Sequence, residues 1–219
     1  MKRQSSSPFD LEAMDLLIEA VADPGYGIFS DFLTPGIQRD LIQLMAAKVA
    51  ADTLVRAGVG SGQRVKVRSE IRSDSIYWLD ADDPAESAEH WITGMNALCE
   101  HFRRHLFLPL WSYEGHLARY PPAGFYKPHL DRHSQTLTRQ LSVIAYLNED
   151  WQDSDGGELR LFTDREKGVD GPFLDILPQA GTVVIFRSAD FWHEVRPSTR
   201  ERLSLTGWLR GREELPLQA

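Results

Sequence analysis

Cysteine is nearly absent from this chain: Cys99 is the only one among 219 residues. A lone thiol excludes an intramolecular disulfide and the thiolate-rich ligand sets of structural zinc sites. A basic excess is also missing. The formal net charge is −8, which argues against a dedicated nucleic-acid binder. No apolar stretch reaches the roughly 18–20 residues of a membrane span. The opening residues 1–8 lack the apolar run of a signal peptide. Internal repeats and low-complexity segments are absent. The expectation is a monomeric, cytoplasmic protein that engages neither nucleic acid nor membrane.

What is present is ordinary globular material, 42% hydrophobic and 26% charged. The length suits one domain with a core that buries roughly 70% of the unfolded surface. Residues 1–8 read as a tail. Leu11, Met14, Leu17, Ile18 and Val21 recur at helical spacing, so a helix is expected from Phe9 to about Ala22. Residues 26–32 read as a short strand. Thr34-Pro35 caps and opens a second helix running to about Arg56. Residues 60–69 carry three basic residues and little apolar content, which reads as a solvated loop or a lid over a site. Ile76–Leu79 reads as a strand, and Arg72 and Asp74 share one side just before it.

Pro84 opens a third helix, through Trp91, Met95, Leu98, Phe102 and Leu106. It contains His101 and His105, an i, i+4 pair. The zincin motif needs Glu directly after the first His, and Phe102 stands there, so a solvated helix face is the better account. From Trp111 the pattern switches to short strands: 114–120, 125–130, 140–147, 158–162, 173–176, 182–186, 193–195 and 202–209. Helices first and strands later make the class α+β, with a sandwich or jelly roll in the second half. Residues 211–219 read as a polar tail.

Three short pieces define one site. In a strand, residues two apart point the same way, so His129 and Asp131 share a face. His193 follows a strand-forming run, and Arg202 lies nine residues beyond it. Two imidazoles and one carboxylate with open positions are the ligand set of non-haem Fe(II) oxygenases. The strand from Arg202 alternates cleanly. Leu203, Leu205 and Leu209 form one face; Arg202, Ser204, Thr206 and Trp208 form the other, which suits a cavity wall. Arg offers a planar fork that grips a carboxylate with two parallel hydrogen bonds. Residues 140–147 alternate too, with Ser142, Ile144 and Tyr146 opposite Leu141, Val143, Ala145 and Leu147.

Taken together, these motifs resemble the Fe(II)/2-oxoglutarate dioxygenases. More narrowly, the chain is similar to the oxygen-sensing prolyl 4-hydroxylases and their compact bacterial relatives. The matching pieces are residues 71–79, 118–122, Tyr126–Asp131, 145–148, 156–160, His193–Pro197 and Trp208. The resemblance implies a double-stranded β-helix over 111–210, with helical support from 9–110 packed on one sheet. It implies Fe(II) on His129, Asp131 and His193. It implies 2-oxoglutarate held by Arg202 and Tyr146, with Tyr120 near it, Ile144 and Leu159 lining the pocket and Thr206 in support.

Tyr126, Arg139, Trp208 and Asp74 are implied on the substrate side, Asp74 pairing with Arg139 and Trp208 lining the prolyl pocket. O2 would be the second co-substrate and ascorbate a further cofactor. In relatives that transfer halogen, halide takes the place of the carboxylate, so Asp131 favours hydroxylation. The products would be hydroxyproline, succinate and CO2, on a protein or peptide with a target proline; elongation factor Tu is one candidate. The segment 132–138 has no glycine and runs longer than in the animal enzymes, which bears on substrate identity. Two alternatives stand beside this reading. One is the same chemistry on a free amino acid, small molecule or alkylated base; the other is a non-catalytic sensing module on the same fold.

Overall fold

The computed structural model describes residues 11–58, 66–80, 83–133 and 136–212. The expected tail at 1–8, most of the expected lid (60–65) and residues 213–219 lie outside them.

Three helices come early. α1 (Leu11–Ala22) buries Met14, Leu17 and Val21, spaced three and four apart on one face. α2 (Pro35–Ala50) starts where expected: Thr34 Oγ1 accepts from Ile37 N at 3.4 Å, and Pro35 sits in the first turn. It ends six residues before Arg56. Asp52 takes a left-handed conformation at φ 51°, and Val55–Arg56 turns back as an edge strand, β2. α3 (Glu86–Leu106) buries Trp91, Met95, Leu98 and Phe102.

Two antiparallel sheets face each other. The larger has β1 (Tyr26–Phe29), β9 (Val183–Arg187), β6 (Arg139–Tyr146), β11 (Arg202–Gly211), β4 (Leu110–Tyr120), β3 (Ser75–Trp78) and β2 in that order. The smaller has β5 (Tyr126–His129), β10 (His193–Val195), β7 (Leu159–Phe162) and β8 (Phe173–Ile176). β11 runs through Gly211, beyond the 202–209 read from alternation. Its register sets Arg202 opposite Tyr120 and Ser204 opposite Tyr146.

Alternation divides the large sheet's faces as the sequence pattern implied. Leu141, Val143, Ala145, Leu205 and Leu209 pack against α1–α3 in one core. Ile144 and Tyr146 turn inward to meet Leu159, Leu161 and Phe186 in a second core between the sheets. The inter-sheet core stops short of one end. There β5, β10 and the polar half of β11 leave a cavity.

Candidate active site

The two histidines meet through sheet register. β10 pairs with β5 so that His193 lies directly opposite His129, and their ring centroids are 4.2 Å apart. Asp131 follows β5 by two residues and closes the triad. Its oxygens stand 3.6 Å from His129 Nε2 and 3.5 Å from His193 Nε2. One ligand atom from each residue lies within 4.8 Å of the others.

Both imidazoles are oriented by backbone. His129 Nδ1 donates to the Lys127 carbonyl at 2.8 Å, and His193 Nδ1 to the Phe191 carbonyl at 3.1 Å. A carbonyl can only accept, so each ring must carry its proton on Nδ1. That leaves each Nε2 lone pair facing the third residue, the arrangement a metal ligand needs. Asp131 Oδ2 accepts from Ser142 Oγ at 2.7 Å, and Ser142 in turn contacts Ser188 Oγ at 2.8 Å.

The electrostatics follow from this packing. Burial, with His193 beside it, lowers the His129 pKa to about 3. Burial works to raise the Asp131 pKa, but His193 and His129 outweigh it and hold the carboxyl below its ordinary range. A neutral His129 imidazole and an ionised Asp131 are the states in which these two residues can take up a divalent cation.

Arg202 sits deeper. It is 2% exposed, and its Nε donates to the Gly157 carbonyl at 2.8 Å. Its guanidinium lies 5.1 Å from the Tyr146 ring centroid and 5.3 Å from that of Tyr120. No carboxylate pairs with it among the described residues. Tyr146 Oη is also buried and without a hydrogen-bond partner among them. Burial raises the Tyr146 pKa to about 12, with Arg202 working the other way.

The cavity between triad and guanidinium holds about 170 Å³. Its wall includes Tyr120, Tyr126, Arg139, Ile144, Leu159, Thr206 and Trp208, together with the triad and Arg202. Tyr146 lies behind this wall, in the inter-sheet core. Asp74 is not on it either, and its expected partner is wrong. Asp74 accepts from Arg72 Nε at 2.7 Å and Nη2 at 2.5 Å. Arg139 instead donates to Glu114 Oε1 at 2.8 Å, and its guanidinium carbon stands over Trp208, 3.3 Å from the ring centroid. The register explains the change: β11 brings Arg210 opposite Arg139, and Arg210 Nη1 binds the same Glu114 at 3.1 Å.

Some wall residues escaped the sequence reading. Arg72 lies over the Tyr126 ring at 4.3 Å, and Tyr126 stacks on His129 at 3.7 Å and 17°. Trp78 and His116 also line the cavity. The T-shaped contact between their rings is 5.0 Å, set by the β3–β4 register. His116 shares parity with Tyr120 along β4, the signal that could have found it.

The comparisons with known proteins agree with this geometry. Residues 115–210 match the family model of the 2OG-Fe(II) oxygenase superfamily. The crystal structure of a prolyl-4-hydroxylase from Pseudomonas putida is 38% identical, covers 90% of this chain and 98% of its own, and superposes with a TM-score of 0.80. A hypoxia-inducible factor prolyl hydroxylase of Caenorhabditis elegans is 32% identical over 153 residues, 66% of this chain. The chain spans only about a fifth of that curated relative, 20% of its length. A Trichoplax adhaerens prolyl hydroxylase, solved with a hypoxia inducible factor peptide fragment, shares the fold at 21% identity and a TM-score of 0.81. It covers 95% of this chain and 93% of its own.

A double-stranded β-helix with a His-Asp-His triad at its open end is the scaffold of an Fe(II) oxygenase. The chain belongs to the 2-oxoglutarate/Fe(II) oxygenase superfamily, where a bacterial prolyl 4-hydroxylase matches it nearly end to end.

Proposed function

We propose that the chain is an Fe(II)- and 2-oxoglutarate-dependent prolyl hydroxylase acting on a protein substrate. One observation carries the co-substrate half: a guanidinium 2% exposed, beside an unpartnered tyrosine hydroxyl, at the inner end of the cavity. A buried charge without an ion partner is costly, so this position is built for an anion. A carboxylate fits the fork of Arg202 and can accept from Tyr146 Oη. At the other end, His129, Asp131 and His193 suit Fe(II) in donor type and leave positions open.

Bound there, Fe(II) supplies O2 activation coupled to decarboxylation of the keto acid. The chain's own residues do the rest. Arg202 fixes the distal carboxylate; Ile144 and Leu159 keep the pocket dry; Thr206 and Tyr120 border the co-substrate. Tyr126, Arg139 and Trp208 form the outer wall, where a prolyl ring can stack and its backbone can find a donor. Asp74 acts at one remove by holding Arg72 against Tyr126. The acidic net charge supports a protein rather than a nucleic-acid substrate. Among the described residues no helix is long and apolar enough to cross a membrane.

The test is succinate release with Fe(II), 2-oxoglutarate and ascorbate, with and without proline-containing peptides, including segments of elongation factor Tu. Proline-dependent succinate with a matching mass gain of one oxygen on the peptide is the expected result, and His193→Ala should abolish it. Equal turnover with proline-free peptides, or turnover only with small molecules, would overturn the substrate assignment.

A further inference from the structure

Away from the cavity, the i, i+4 histidine pair of α3 acquires a partner that no reading of α3 alone could supply. α1 packs beside α3, and Asp15 of α1 reaches His101, with Oδ1 2.8 Å from His101 Nε2. The His101 and His105 ring centroids are 4.3 Å apart. One ligand atom from each of Asp15, His101 and His105 lies within 4.8 Å of the other two. None of the three lines the oxygenase cavity.

We propose that Asp15, His101 and His105 form a surface site for a zinc-class divalent cation, clamping α1 to α3. The donor set is two imidazoles and one carboxylate, which suits Zn²⁺ with water completing the tetrahedron. Helical i, i+4 spacing puts two imidazoles on one face, the geometry that helical zinc sites use. The orientation of His105 is independent support. Its Nδ1 lies 3.0 Å from the His101 carbonyl oxygen. That oxygen only accepts, so His105 carries its proton on Nδ1 and presents Nε2 as a lone pair. Ligating histidines are held in this way by their other nitrogen.

His101 Nε2 carries a proton toward Asp15 in the absence of metal. Zn²⁺ takes that proton's place: the imidazole stays neutral by carrying its proton on Nδ1 instead, and the cation binds Nε2 and the carboxylate oxygen together. Donors around a tetrahedral zinc stand roughly 3.3 Å apart for bonds near 2.0–2.1 Å. The 2.8 Å pair therefore has to open by only about half an ångström. Because Asp15 comes from a different helix, the cation links the first helix to the scaffold that backs the large sheet.

The experiment is equilibrium dialysis of the untagged, iron-free full chain against Zn²⁺. Two zinc ions per chain are expected, one at the oxygenase triad and one here. His105→Ala keeps the Asp15–His101 hydrogen bond, so its fold is safe, and it should retain one. The double variant H129A/H193A should also retain one, and adding His105→Ala should remove it. Asp15→Asn should weaken this second zinc by at least the roughly tenfold seen when an outer hydrogen-bond partner is lost. Saturating zinc should raise the Tm of H129A/H193A by roughly 5–10 °C at a hundred times Kd, and this gain should vanish with His105→Ala. One zinc in the parent, or a second zinc bound equally well by His105→Ala, would overturn the site. Unchanged affinity in Asp15→Asn would overturn the clamp.

Discussion

Ser142 Oγ donates to Asp131 Oδ2 at 2.7 Å, joining the large sheet to the one carboxylate of the triad. Asp131 stands beyond the end of β5, where no ladder hydrogen bond fixes it. Ser142, buried on β6 and braced by Ser188, does so instead. Ser142→Ala should therefore weaken metal binding by about ten- to a hundredfold while sparing the fold. Titrating Mn²⁺ or Fe(II) into parent and variant checks this, and Ser142→Thr should keep much of the parent affinity.

Arg72 and Asp74 make the second prediction. Their side chains are 12% and 0% exposed, and the contact is bidentate. Burial lowers the Arg72 pKa, but the hydrogen bonds and charge of Asp74 outweigh it and raise it above the ordinary value. Removing one partner strands the other. Asp74→Ala should cost about 3–5 kcal/mol in chemical unfolding. The double variant R72L/D74L should lose less than Asp74→Ala alone, because no charge is then left buried. Additive losses would refute the pair as the source.

Much of this site was legible because strand parity is simple. Alternation along 202–209 and 140–147 divided Arg202, Ser204 and Ile144 from the leucines behind them, and the cavity and core respect that division. The His-x-Asp spacing located two of the three ligands although β5 ends at His129, so that Asp131 is placed by the bend after the strand and not by strand parity. What escaped depends on register between distant strands. The partner of Arg139 is Glu114, which stands nearby because β6 and β4 flank β11. No local pattern encodes that neighbour. Asp74 had an arginine two residues away on the same side, and the local pair prevailed over the distant one. His101 and His105 read as a solvated face because their third partner is 86 residues away in sequence.

His116 predicts a pH dependence. It is 3% exposed, and burial first, then Arg72, lowers its pKa to about 4. The unfolded chain titrates near 6.5, so between these values the unfolded state binds the extra proton. Stability from this group is complete above about pH 6.5 and falls as pH drops toward 4, by roughly 3 kcal/mol. His116→Gln removes the titration. Unfolding free energy measured from pH 7.5 to 4.5 should fall more steeply in the parent than in this variant; parallel curves would show that His116 is not held neutral.

Arg202 is positioned by a glycine. Gly157 adopts φ +72°, and a Cβ there would meet Ser198 Cβ at 2.9 Å, Trp151 at 3.1 Å and Arg202 Cδ at 3.4 Å. Its carbonyl accepts the hydrogen bond that Arg202 Nε donates, which leaves the outer guanidinium nitrogens for a carboxylate. Gly157→Ala should therefore disturb co-substrate binding through Arg202, with metal affinity nearly unchanged. Arg202→Ala should act more strongly. A charge-assisted bidentate pair is worth roughly 1.5–3 kcal/mol, so 2-oxoglutarate should bind about ten- to a hundredfold more weakly. Arg202→Lys should recover part of the loss, since charge returns without the fork. Titrating metal and keto acid independently separates the two ends of the cavity. If Arg202→Ala binds 2-oxoglutarate like the parent, the distal carboxylate is held elsewhere, and the buried guanidinium needs another anion to explain it.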